Sequence, residues 1–428
     1  TTANYNTAVG NNALTANTTG GYNTLIGSLA GDALTTSSYN VALGYLALST
    51  ETAGQESVAI GSQALATQNV GSGAVYNTAV GTSAGRLVTT GASNTLIGGT
   101  AGDAITTGGN NVAVGYTSLG VNTTGSGNVA IGDYSLDANT TAAYNTAVGY
   151  ASLGANTTGT SNVAVGKSAL LANTTASNNT AVGYNALTAN SSGARNTAVG
   201  STSGTAITTG DDNTAVGGNS LITLTTGDDN TALGSYSLYY TTTAADNTAV
   251  GANTLTTNTT GASNTAVGSV ALYANTTGAS NVAVGTYALD ANTTASNNTA
   301  VGYGSLTANT TGADNSAVGK DALVANTTGT SNVAVGLASL STNTTGNYNT
   351  AIGQRALQSN TTASFTVAVG YEALKSNTTG AGNVGVGQSA LYTNTTGANN
   401  TAVGYGSLVA NTTGAQNTAV GTNALDAN

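Results

Sequence analysis

The 428 residues include no cysteine, histidine, proline, methionine or tryptophan, and only one phenylalanine. Without Cys there is neither a disulfide framework nor a thiol nucleophile. Without His as well, a Cys/His zinc site and the commonest general base are excluded, and most enzyme chemistry goes with them. Charge is almost as scarce: 5% of residues are Asp, Glu, Lys or Arg, against about 25% in an ordinary soluble domain. Six basic and sixteen acidic side chains leave a formal charge of −10, too few cations to engage a phosphate backbone, so no nucleic-acid partner is expected. No apolar run approaches the roughly 20 residues that span a bilayer. No basic segment followed by a hydrophobic one opens the chain, so neither a secretion signal nor membrane insertion is expected of it.

What remains is 39% hydrophobic residues in a chain whose mean hydropathy is +0.02, so neutral polar side chains must cover the surface. They are arranged in one repeat. The glycine that closes each Asn-Thr-Ala-Val-Gly block falls at Gly10, Gly27, Gly44 and Gly61, then at Gly81 and every seventeen residues onward to Gly421, 25 copies in all. The one irregular step, from Gly61 to Gly81, places a three-residue insertion within 68–76. A representative unit, Asn179 to Arg195, reads NTAVGYNALTANSSGAR. The chain begins and ends inside this pattern, as a segment of something longer or a mature piece would.

With the leading Asn as the first place, the second place is mostly Thr or Val, the third nearly always Ala and the fourth always aliphatic. Side chains alternate along a strand, so the second and fourth places share one face and the third lies on the other. The aliphatic fourth place (Val9, Val148, Val301) is expected to face the core, and the Ala face (Ala8, Ala147, Ala300) a close neighbour. After the glycine, a small residue and Leu (Ala13-Leu14, Ser152-Leu153) predict a second short extended piece, and Asn-Thr-Thr-Gly a turn. Recurrent Gly, abundant Thr and Val, and a repeat that breaks any 3.6-residue pattern exclude helix. The fold class predicted is all-β: a parallel β-solenoid, or β-roll, of about 25 coils with a 17-residue repeat. Residues 1–428 form one continuous domain, a rod on the order of 120 Å long at about 4.8 Å per coil.

One correlation supports a shared interior. Where the Leu is replaced by Gly (Gly31, Gly85, Gly102, Gly204), the residue three places later turns aliphatic: Leu34, Val88, Ile105 and Ile207. Both positions are therefore expected to reach one core and to fill it at similar volume.

Ser57-Val58-Ala59-Ile60-Gly61-Ser62-Gln63-Ala64 resembles the head-domain repeat of trimeric autotransporter adhesins, and the unit NTAVGYxALxxNTTG resembles repeats of phage tail-fibre-like proteins. The resemblance covers the whole chain and rests on one short apolar-glycine motif. It implies a parallel β-roll in a homotrimeric fibre at the cell or virion surface, with a host or cell-surface receptor or glycan as partner. Adhesin heads usually have somewhat shorter repeats. Few large apolar side chains per coil, set against the ordering of seventeen residues, argue independently for association. The Ala face is expected nearest the other chains.

Candidate sites each carry two readings. Sixteen copies hold an Asn-x-Ser/Thr acceptor at the turn, among them Asn17, Asn122, Asn139, Asn156, Asn190, Asn258 and Asn411. These are glycosylation sites, or turn residues whose side chains bond the backbone and stack in a column. Asp211, Asp212, Asp228, Asp229 and Asp246 recur at equivalent places in three successive copies. They are a Ca²⁺ site or carboxylates splayed into water. No other cofactor is expected. Tyr5, Tyr22 and Tyr39 form one column, and Tyr150, Tyr184, Tyr303 and Tyr405 another, as stacking ladders or as binders of sugar or ice-like water. The leading expectation is a non-enzymatic extracellular fibre serving as spacer and presenting scaffold. The alternative is a solenoid recognising ice or surface glycans through Thr, Asn and Tyr columns.

Overall fold

Asn-Thr-Ala-Val-Gly folds as a three-residue strand, as its β-branched residues favour. The computed structural model describes residues 2–427, which divide into two compact units, Thr1–Asn213 and Thr214–Asn428. In the first unit twelve such strands run from Thr7–Val9 to Thr197–Val199, and in the second thirteen run from Thr214–Val216 to Thr418–Val420. Within each unit every strand pairs in parallel with the equivalent strand of the next copy. Ala147 lies opposite Ala164 and Val148 opposite Val165; in the second unit Ala300 lies opposite Ala317 and Val301 opposite Val318. Each unit is an all-β, parallel β-solenoid with a 17-residue repeat.

The corner after each strand needs glycine. Gly149 has φ +132°, and a Cβ there would sit 2.7 Å from the carbonyl carbon and oxygen of Gly166 in the next coil. That backbone conformation is open to Gly and strained for any other residue. The insertion leaves the stacking intact, since Val58 still pairs with Thr78 and Ala59 with Ala79. Gly71, Ser72, Gly73 and Ala74 are exposed, and Gly54–Gln55 and Gly73–Ala74 form an extra two-stranded parallel ladder.

The core corrects the predicted faces. The third-place alanines point inward: Ala147 and Ala300 are fully buried, and Ala8 is exposed only because it lies in the first coil. The fourth-place residues point out. Val148 and Val301 are half-exposed and Val9 is 57% exposed. The Ala face therefore borders the coil's own interior and is not free to meet another chain. The reason is width: the Leu column (Leu153 and Leu306 buried, Leu14 half-buried near the chain start) fills the coil from the opposite side. Only a methyl fits against it.

The Leu segment also differs from expectation. It is a run of turns rather than a second strand, with Leu153 at φ +50° and Leu306 at φ +52°. Left-handed backbone is costly for Leu. Burial of the side chain and a backbone bond to the next coil, Leu153 N–H to Ala169 O at 3.0 Å, offset that cost. The Leu-for-Gly exchange works as the sequence suggests. Leu34, Val88, Ile105 and Ile207 are all buried, and a Cβ on Gly102 would lie 2.8 Å from both Ile105 Cδ1 and Leu96 Cδ2.

Candidate functional site

Three surfaces follow from this cross-section: the outward strand face, the turn columns and the residues that interrupt them. On the strand face the second and fourth places stand side by side in every coil. Thr or Val, once Ser316, accompanies Val, Ile or Leu, and no charged residue occurs at either place in any copy. Exposure along this strip is substantial: Ile26, Leu43, Ile352 and Val318 are each about 40% exposed. Sequence reasoning missed it by turning these residues inward.

The turn asparagines lie inside the coil. Asn122, Asn139, Asn156, Asn190 and Asn258 are fully buried, Asn411 nearly so, and Asn17 is half-buried. The Asn156 amide donates to Asn139 Oδ1 at 3.0 Å and to Gly159 O at 3.0 Å, and the same pair of bonds recurs from coil to coil. A glycan on such a nitrogen would have to break both bonds and occupy core volume. The folded coil holds Asn139, Asn156, Asn190 and Asn411 in this way as a ladder. The leading asparagines form a second buried ladder, in which the Asn162 backbone N–H donates to Asn145 Oδ1 at 3.0 Å. Threonines form a third: Thr157 Oγ1 donates to Thr174 O at 3.0 Å. Where a ladder stops, an atom is orphaned. Asn190 Oδ1 has no partner because the next coil carries Ile207 in place of Asn.

Buried Glu51 occupies the Asn column beside the insertion. Its Oε1 accepts from the N–H groups of Thr52, Ala53 and Gly54 at 2.9, 3.1 and 2.7 Å, and its Oε2 from Gln68 Nε2 at 3.2 Å and Val70 N–H at 3.2 Å. A carboxylate with this many donors is a structural clasp on the irregular loop.

The acidic residues fall in both units. In the first unit Asp212 pairs with Arg195 at 2.7 Å, which holds its carboxyl below the ordinary range, and Asp211 Oδ1 accepts from Ala194 N–H at 2.7 Å. In the second, Asp228, Asp229 and Asp246 lie on turns, where Asp246 N–H donates to Asp228 O at 3.1 Å. Among the described residues no group of three or more His, Cys, Asp or Glu side chains is placed to hold a metal ion.

All six basic side chains are engaged. Arg86 and Arg355 bridge to Asp103 and Glu372 one coil on, Arg195 to Asp212, Lys375 to Glu372 and Lys320 to Asp321, and Lys167 lies 5.9 Å from the Tyr184 ring. Tyr5, Tyr22 and Tyr39 stack at 4.9 and 5.0 Å with nearly parallel rings, and Tyr348 and Phe365 at 5.2 Å. These rings are more than half exposed, so the ladders lie on the surface. Tyr150, Tyr184, Tyr303 and Tyr405 are likewise about half exposed. No helix among the described residues is long and apolar enough to cross a membrane. Compared with known proteins, the chain matches no family model, and no curated sequence is similar to it.

Proposed function

We propose that this chain is a non-enzymatic structural protein of the cell or virion surface, a repeat scaffold that spaces and presents an attachment function, and that it works as a homotrimer. The supporting observation is the outward Thr/Val face. Within each unit, an uncharged and mostly β-branched strip that runs from coil to coil is far larger than the isolated apolar groups a soluble surface normally exposes. In the second unit alone, thirteen strands at about 4.8 Å give a strip about 60 Å long. Packing these faces against one another removes the strip from water, a role the sequence reading had given to the Ala face. The buried Asn ladders and the surface Thr ladder bond each coil to the next within a unit, which suits a stiff spacer.

Removing residues 264–365, six whole repeats, tests the spacer reading. A particle shortened in proportion, with unchanged per-site affinity for its target, is the expected outcome. Loss of binding by a folded, shortened chain would place the reader in the deleted coils and end the spacer reading.

The same face favours one rival. Thr and Val in ranks about 4.8 Å by 6.6 Å apart form a regular array on a sheet, as ice recognition would need. Ice binding needs the face wet, whereas the trimer buries it. Thermal hysteresis by the native protein would favour the rival, and its absence together with a trimeric mass favours the fibre.

A further inference from the structure

The densest aromatic cluster of the second unit is neither a ladder nor part of the strand face. Tyr236, Tyr239 and Tyr240 crowd into one copy, Asn253 and Thr256 come from the next, and Tyr273 from the one after. Together they line an open cavity of about 280 Å³. The coil geometry explains how they meet. Seventeen residues separate Tyr236 from Asn253, Tyr239 from Thr256 and Thr256 from Tyr273, so each set falls in one column. Leu238 anchors the turn in the core, and Tyr236, at φ +59°, is turned outward. The backbone ties the columns together, with Tyr240 N–H donating to Thr256 O at 2.9 Å and Asn253 N–H to Ser235 O at 3.0 Å.

We infer that this pocket is a binding site for an uncharged sugar ring of the pyranose class. Tyr239 and Tyr273 stand two coils apart, with the smaller Thr256 between them. The notch is therefore about 9.6 Å across, close to two van der Waals contacts of about 3.5–4.0 Å around one puckered ring. The tyrosines are set at angles rather than stacked flat on one another: Tyr239 and Tyr240 are 4.6 Å apart at 81°, and Tyr236 and Tyr239 5.5 Å apart at 43°. A tilted cluster, unlike a closed stack, can turn a ring face to the C–H face of a saccharide. Tyr236, Tyr240 and Tyr273 are between 41% and 52% exposed. No charged side chain lines the cavity, which disfavours an ionic ligand, and phenolic hydroxyls supply donors and acceptors for sugar hydroxyls. The half-buried Asn253 amide makes no side-chain hydrogen bond among the described residues and is available as well. The Thr256 hydroxyl is used internally, donating to Tyr236 O at 3.2 Å, and serves as the floor. None of the strand-face residues takes part, so this site is independent of trimer formation.

The test is saturation-transfer NMR on the full chain with a panel of methyl pyranosides (gluco, galacto, manno and N-acetylglucosaminide), with choline as the cationic control. At least one neutral pyranoside should bind in the millimolar range with its C–H protons most strongly saturated. Tyr239→Ala and Tyr273→Ala should each weaken it by about tenfold or more, and Asn253→Ala by severalfold. Tyr134→Ala, an exposed tyrosine of the first unit outside the pocket, should leave it unchanged, with melting of every variant checked. Three results would overturn the site: no pyranoside bound at tens of millimolar, equal binding by the folded Tyr239→Ala and Tyr273→Ala chains, or choline bound in preference. Native mass is measured separately, so failure of this site leaves the trimer standing, and failure of the trimer leaves this site standing.

Discussion

At the residue scale, the core is a negotiation over a few cubic ångströms between three columns. Leu306 fills the coil from its turn, Ala300 leaves room for it, and Asn309 closes the interior with its ladder. Copies with Gly204 and Ile207 show the other solution. Leu306→Gly should therefore destabilise strongly, by about 2–5 kcal/mol as large-to-small core changes do, although glycine relieves the left-handed backbone. Adding Asn309→Ile should recover at least half of that loss in thermal or denaturant unfolding, while Asn309→Ile alone should destabilise by orphaning its ladder neighbours, since the coil with Leu221 and Leu224 both buried shows that the two places can be filled together. If the double variant is no better than the single one, the two positions do not share an interior.

Two half-buried aspartates in the place after the core Leu give a pH signature. Burial raises the carboxyl of both Asp137 and Asp290, and Asp290 Oδ1 has no partner. A folded-state pKa above the unfolded one means that the fold holds the proton more tightly. The favourable contribution belongs to low pH and is lost as pH rises through the folded value. Asp137→Asn with Asp290→Asn should thus raise the melting temperature at pH 7 and have little effect near pH 3. Asp212, held low by Arg195, has the opposite sign: its contribution is present above the ordinary carboxylate range and fades on acidification. A double Asn variant no more stable at neutral pH would show that these carboxylates are solvated.

At the scale of the element, the three-residue strand was legible and its facing was not. Alternation separates Ala147 from Thr146 and Val148 but does not say which set is inside. Size suggested the valines, because a lone domain buries its largest aliphatics. The contrary signal lay in tolerance: the fourth place takes Val, Ile or Leu freely, whereas the third admits Leu25 and Leu96 only where Gly31 and Gly102 vacate the Leu site. A position whose size is tied to another's is the packed one. A self-bonding column was one of the two readings open for the turn asparagines, since a period that repeats the residue also repeats its partner. The pocket around Tyr239 was not visible in advance, because it needs three coils at once. If the outward face is an interface between chains, Val284→Lys with Val318→Lys should split the assembly into folded single chains, with circular dichroism unchanged and native mass reduced. Unfolding in place of dissociation would return the valines to the core.

For the whole molecule, the trimer proposal rests on one surface. Ladders inside each coil account for stacking, the Ala and Leu columns for the interior, and the six basic side chains for local ties. Apart from the surface tyrosines, the Thr/Val strip is left over, and its burial between chains is the central claim. The most direct test is the native mass of the full chain in solution, by sedimentation equilibrium or light scattering with sizing. The account predicts three times the 41.1 kDa chain mass, persisting on dilution to micromolar concentration. A stable, folded species at the single-chain mass would contradict it and leave the strip facing water.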